Sequence, residues 1–181
     1  MSDALTPIDR LIIRRDQQRR KGAHAEAAQS NREIGLLLAE AGEYERGLAY
    51  LAEALDAFPA KSYDAAVCDH SIGLVLAELD RTRESVHALA RARAIYGELH
   101  RFLAVADCDE HLGNGMLALG RPLDAMVHFE AARRIYFEIT TSERVQACDE
   151  GIDAAKLALH PREPERGRPR RAQMAPRIAA A

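Results

Sequence analysis

The stretch CDHSIGLVLAELDR at residues 68–81 returns 40 residues later as CDEHLGNGMLALGR at residues 108–121. A further copy, CDEGIDAAKLALHP, begins at residue 148, and an earlier one, SNREIGLLLAEAGE, begins at residue 30. Within each copy the apolar residues recur at three- and four-residue spacings, which is typical of one face of a helix. No part of the chain shows the two-residue alternation of a half-exposed strand. The sequence therefore predicts an internal helical repeat with a period of 38–40 residues.

Each copy predicts a helix, a break and a second helix. In the first three copies the break falls seven residues after a shared glycine, at Gly42, Asp80 and Gly120. The fourth copy ends after one helix, since Pro161 and Pro164 prevent a partner helix from following. We predict helices at residues 23–41, 43–58, 62–79, 82–99, 101–119, 122–139 and 142–159.

The composition agrees with an all-α class. Hydrophobic residues make up 48% of the 181 residues, largely as alanine and leucine, whereas aromatic residues make up 5% and tryptophan is absent. Such a composition favours helices that pack through small side chains over a β-sandwich or barrel. A chain of this length is long enough to bury a sizeable core.

The repeated copies resemble the tetratricopeptide repeat, in a variant longer than the usual one. The family pattern is W-x2-L-G-x2-Y, followed in the second helix by A-x3-F and then A and P. Here the tryptophan is replaced by a polar residue in every copy, and the tyrosine by leucine or methionine. The matching runs are Asn31-x2-Ile34-Gly35-x2-Leu38, Asp69-x2-Ile72-Gly73-x2-Leu76 and Asp109-x2-Leu112-Gly113-x2-Met116.

The resemblance covers about three quarters of the chain. It implies a right-handed superhelix, or α-solenoid, of about three and a half stacked helix pairs, closed by a capping helix. In such a stack the glycines of the motif, Gly35, Gly73 and Gly113, are expected to let the two helices of a pair approach closely. We predict repeats near residues 23–60, 61–100 and 101–140, with the capping helix at 141–159.

The two ends differ from this repeat domain at 23–159. Residues 1–22 carry six basic against three acidic side chains, and their apolar spacing predicts a short helix. Residues 160–181 carry six arginines against two glutamates and hold four of the seven prolines, so we predict a disordered tail. Because the formal net charge of the chain is −3, the domain between these ends carries −10.

The repeated cysteines Cys68, Cys108 and Cys148 do not predict a disulfide or a metal site. Successive repeats place equivalent residues about 10 Å apart, whereas a disulfide needs Cα atoms within about 7 Å. We therefore expect small buried thiols and no cofactor. The absence of a nucleophile, zinc or phosphate-loop motif gives no support for an enzyme. Without a secretory signal or a long apolar run, we expect a cytoplasmic protein that does not enter membranes, and the excess of arginine over lysine hints at a bacterial source.

Two repeated acids predict a contact between repeats. Asp109 and Asp149 each follow an arginine by 16 residues, Arg93 and Arg133 respectively. A carboxylate in a packed stack needs a partner. We therefore predict that each arginine binds the aspartate of the next repeat's first helix; exposure of these acids to solvent is the alternative.

In proteins that this chain resembles, the first helices line a concave groove that binds peptides or helices of partner proteins. The corresponding positions here recur on one face of each first helix. They run from a basic-to-neutral end to an acidic end over an apolar floor, which implies a non-catalytic adaptor for a basic or amphipathic segment of another protein. The predicted lining residues are Gln29, Arg32, Leu36, His70, Leu74, Asp107, Glu110, Asn114, Leu117 and Glu150.

Three other functions remain open at this stage. The chain could be a homodimeric scaffold joined through the groove, the N-terminal helix or the terminal repeat. A catalyst using Glu110, Glu150 or His70 would need an enclosed pocket and a raised carboxylate pKa. Nucleic acid could bind only through the two basic ends. The arginine-rich tail is also a candidate occupant of its own acidic groove.

Overall fold

The computed structural model describes residues 5–139 and 142–160, which form eight helices. All seven helices predicted from the repeat are present, and each end lies within one residue of its predicted position. The predicted disordered tail lies outside the described residues from 161 onward. In the described part, no helix combines the length and the apolar character needed to cross a membrane. The helices are α1 (Pro7–Arg20), α2 (His24–Glu40), α3 (Tyr44–Ala57), α4 (Tyr63–Glu78), α5 (Thr82–Glu98), α6 (Phe102–Ala118), α7 (Pro122–Ile139) and α8 (Ser142–Leu159).

The helices form a curved stack of two layers. Each helix packs against the next one in the chain. The backbones of successive first helices (α2, α4, α6 and α8) also approach to within 8 Å between Cα atoms, whereas across the described residues those of the second helices (α3, α5 and α7) stay farther apart. The stack therefore curves toward the first helices, which line its concave groove. This architecture is the predicted α-solenoid.

The two helices of each pair are joined by one type of turn. The predicted break residues Gly42, Asp80 and Gly120 have left-handed φ values of 78°, 56° and 69°. After Gly42, the N–H of Glu43 donates to the carbonyl oxygen of Leu38 at 2.8 Å, and the other two turns have the equivalent bond at 2.9 Å. This bond across six residues ends the first helix in a Schellman motif. The same turn therefore joins the two helices of every pair.

Glycines set the distance within each pair. A β-carbon on Gly73 would lie 2.6 Å from Cγ of Leu89, closer than the 3.0 Å that real β-carbons keep. In the first pair both helices contribute a glycine, and a β-carbon on Gly47 would lie 2.8 Å from the carbonyl oxygen of Gly35. The pattern thus confirms that the shared glycines allow close helix packing.

The predicted arginine–aspartate contacts between repeats are present. Arg93 Nε donates to Asp109 Oδ1 at 2.7 Å, and Arg133 Nε donates to Asp149 Oδ1 at 2.5 Å. The two pairs differ in burial, because Asp109 is fully buried and Asp149 is about half exposed (49%). His128 Nδ1 lies 2.7 Å from the same Asp109 oxygen. The buried pair therefore fastens α6 to both neighbouring second helices.

Asp69 has a different partner because the repeat changes upstream of it. The residue 16 positions before Asp69 is Glu53, which would repel it. Arg91 of the same repeat instead donates from Nη2 to Asp69 Oδ1 at 2.5 Å. Glu53 pairs with Arg19 of α1. The repeat thus keeps each acid paired even where the arginine position is lost.

Helix α1 packs on α2 and uses its basic side chains to do so. Arg14 pairs with Glu33 at 2.5 Å, and the guanidinium of Arg15 lies 5.5 Å from the centre of the Tyr50 ring. Thr6 caps the helix in a capping box with Asp9. Two of the six basic side chains of the N-terminal segment, Arg14 and Arg19, are therefore paired with carboxylates of the repeat domain.

Two glycine-to-alanine substitutions test the packing constraint. Gly47→Ala puts a β-carbon against backbone, so it is expected to lower the free energy of unfolding by roughly 1–3 kcal/mol. Gly97→Ala, in α5 with open space around the added carbon, is expected to raise it by about 0.5–1 kcal/mol because alanine favours helix. Urea unfolding of both variants gives the two values. Equal effects of the two substitutions would contradict the constraint.

Candidate functional site

The concave groove carries an apolar floor along three successive first helices. These residues are half-buried: Leu36, Leu74 and Leu117. Leu36 and Leu117 pack on the core from the groove side. Of the predicted polar lining residues, three are exposed: Gln29, Asn114 and Glu150. The floor can therefore contact an apolar side chain while polar groups remain in water.

The predicted basic end of the groove is an ion pair between α2 and α4. Arg32 Nη1 lies 2.5 Å from Asp64 Oδ1, and both side chains are largely buried. Arg32 is thus neutralised by a neighbouring first helix. This end offers a partner little free positive charge.

The acidic end holds an arginine that the sequence analysis missed. Arg144 of α8 contacts Asp107 Oδ1 at 2.6 Å and Glu110 Oε2 at 3.0 Å. Its guanidinium lies 4.5 Å from the centre of the Tyr136 ring, and the Tyr136 hydroxyl donates to Asp107 at 2.7 Å. One arginine therefore serves two carboxylates, so the net negative charge here is smaller than the sequence indicated.

These two ion pairs use the same positions of the repeat with the charges exchanged. Arg32 and Glu110 occupy equivalent positions on their helices, and so do Asp64 and Arg144. The equivalent pair between α4 and α6 is His70 and Ala104, which cannot form an ion pair. Comparing the repeats position by position could have found Arg144. The α4–α6 junction is therefore the one of these three that lacks this bridge.

Two histidines meet at that middle junction. The ring centres of His70 and His111 lie 5.9 Å apart, and those of His70 and Tyr96 lie 6.1 Å apart in a T-shaped arrangement. Burial lowers the pKa of His70. The neighbouring His111 lowers this pKa further, whereas Asp107 raises it. Burial also lowers the pKa of His111, to which Arg144 adds while Glu110 and Asp107 oppose it. Both rings are therefore neutral at neutral pH.

Glu150 is the predicted carboxylate that stays most available. It lies exposed on α8 and accepts a hydrogen bond from Gln146 Nε2 at 3.0 Å. The acidic end thus consists of exposed Glu150 and the partly neutralised pair Asp107 and Glu110.

The cysteines are buried thiols, as predicted. Burial raises the pKa of Cys68 and Cys108 to about 12 and that of Cys148 to about 11, so all three are protonated at neutral pH. Across residues 5–139 and 142–160, no three His, Cys, Asp or Glu side chains converge as a metal ion would require.

The buried histidines predict a loss of stability in mild acid. A histidine whose pKa is lowered by folding stabilises the protein above its unfolded pKa of about 6.5, and this stabilisation is lost as the pH falls. Urea unfolding at about pH 7.5 and about pH 5 should show a smaller decrease for His70→Gln/His111→Gln than for the unsubstituted chain. His87→Gln, an exposed histidine of α5, is the control and should keep the full decrease. Identical decreases in all three proteins would contradict the assignment.

No protein-family model and no curated protein sequence matches the chain. Solved structures do match, among them crystal structures of nearly identical TPR-like repeats from a protein described as a kinesin light chain of Podosopora anserina. A single-residue variant of it is 14% identical, with a TM-score of 0.57 over 88% of this chain and 91% of its own. A second structure is 14% identical, with a TM-score of 0.56 over 87% and 90%. The chain therefore has the fold of tetratricopeptide-like helical repeat proteins, as the sequence resemblance predicted.

Proposed function

We propose that the chain is a non-catalytic protein-interaction module whose concave groove binds a basic or amphipathic segment of a partner protein. The observation that supports this most is the leucine floor of the groove next to carboxylates that a single arginine neutralises only in part. An amphipathic helix or extended segment could place its apolar side chains on Leu74 and Leu117 and its basic side chains near Glu150.

The charge of the whole domain favours the same kind of partner. Residues 23–159 carry a formal charge of −10, and the arginines of helix α1 neutralise only part of it. A basic segment is therefore attracted over a distance of about one Debye length, roughly 8–10 Å at moderate salt. The contacts within the groove then decide where the segment binds.

The groove offers less to a catalyst. Asp107 and Glu110 are held by Arg144, and Glu150 is exposed, so none of the three is a desolvated carboxylate facing an enclosed space. The three unpaired thiols suit a reducing compartment, and we propose the cytoplasm, in a bacterium, on this ground and on composition.

Selection of a random peptide library on the immobilised full chain tests the function. We expect basic amphipathic peptides to be enriched, and the Kd of a selected peptide to rise roughly threefold to tenfold with Glu150→Lys. The matched control is Glu130→Lys, which makes the same charge change on the exposed face of α7. It should leave the Kd almost unchanged.

Either of two results would overturn the proposal. One is enrichment of peptides without basic residues. The other is an equal loss of affinity with Glu150→Lys and Glu130→Lys, since this would assign binding to overall charge instead of the groove.

A further inference from the structure

The junction without an ion pair borders an open cleft at the surface. Ala104, which stands where the other junctions have Asp64 or Arg144, lies in its wall. The cleft has a volume of about 620 Å³ and opens between the start of α4, the turn before α6 and the end of α7. This is the size range of sites that bind small ligands or anchoring side chains, about 300–1,000 Å³.

The rim of the cleft is apolar and exposed. Four large side chains contribute to it, each exposed over 43–55% of its surface: Tyr63, Phe102, Leu103 and Ile139. They come from three different helices and meet at one edge of the stack. Apolar side chains gathered in this way on a protein surface mark an interaction site more often than single exposed ones do.

Phe102 stands at a position where the second and fourth copies have a serine and the first has His24. Ser62 and Ser142 are its equivalents, and the Ser62 hydroxyl caps α4 by accepting from the N–H of Ala65 at 3.1 Å. Helix α6 begins with no side-chain cap. The third repeat therefore exposes a phenylalanine where the second has a capping serine.

The cleft also presents one unpaired cation. The guanidinium of Arg101 lies 5.5 Å from the centre of the Tyr63 ring, and within the described ranges no carboxylate pairs with it. Asp107, the carboxylate in the cleft wall, has its Oδ1 engaged by Arg144 and Tyr136. An occupant thus meets an apolar surface next to the positive charge of Arg101, while Asp107 in the wall is partly neutralised by Arg144.

We propose that this edge cleft binds a large apolar side chain of a partner protein segment that carries a carboxylate beside it. The apolar side chain packs between Phe102 and Ile139, and the carboxylate pairs with Arg101. Asp107 belongs to the wall of both sites, but the two tests act on different residues, Glu150 for the groove and Phe102 and Arg101 for the cleft. The two proposals therefore succeed or fail separately.

Titration of the isotope-labelled full chain with a short Gly/Ser peptide containing Trp-Glu-Glu tests the cleft by NMR. We expect shifts at Leu103 and Ile139, and an affinity at least about tenfold weaker for peptides containing Trp-Lys-Lys or Ala-Glu-Glu. Phe102→Ser and Arg101→Glu should each raise the Kd of the Trp-Glu-Glu peptide by a similar factor. Phe102→Ser replaces an exposed side chain with the residue found at the equivalent position of the second repeat, so this variant is expected to fold normally.

Matched controls make the same changes elsewhere on the surface. Leu123→Ser removes an apolar side chain that is 65% exposed on α7, and Arg83→Glu reverses a charge on the exposed face of α5. Both should bind the peptide as the unsubstituted chain does. Shifts confined to Leu74 and other groove residues, equal binding of the Trp-Lys-Lys peptide, or no binding would overturn the proposal. A dimer in light scattering that Phe102→Ser dissociates would also overturn it, since a second copy would then occupy the cleft.

Discussion

The close approach of paired helices at a glycine is the constraint on which the rest of this structure depends. At Gly35, Gly73 and Gly113 a side chain would collide with the second helix, so each pair is held at nearly one distance. A repeated left-handed turn fixes how the pair crosses. Because of these two features, the sequence repeat produces a regular structural repeat. Residues 38–40 positions apart therefore occupy equivalent places on neighbouring first helices.

That regularity makes the charges of the groove comparable between repeats. Where the repeat places opposite charges at facing positions, as in Arg32 with Asp64, the two side chains form an ion pair within the stack. Where it places His70 opposite Ala104, no bridge forms, and neutral histidines and an open cleft occupy the junction. Function is therefore expected to depend on the charges left over, Glu150 in the groove and Arg101 at its edge, and on the apolar surfaces beside them.

Much of the fold could be predicted because the residues that determine the helix ends lie within each repeat. The glycine, the turn residue and the apolar period gave helix ends to within one residue, and the 16-residue spacing gave the Arg93–Asp109 contact. The charge of the groove was harder to predict, since counting acidic residues in the sequence treats every carboxylate as unpaired. Arg144 reaches Asp107 and Glu110 only through the placement of a long side chain on a neighbouring helix. Residues from three helices and a turn, far apart in the chain, line the edge cleft, so no local sequence pattern predicts it.

Hydrogen exchange of the full chain, with and without a selected basic peptide, tests binding in the concave groove most directly. If the peptide lies in the groove, exchange should slow in α4, α6 and α8, whose faces carry Leu74, Leu117 and Glu150, and change little in α3, α5 and α7. Slowing confined to the second helices, or to the edge around Phe102, would contradict binding in the groove. The comparison uses each second helix as the internal reference for the first helix that it packs against.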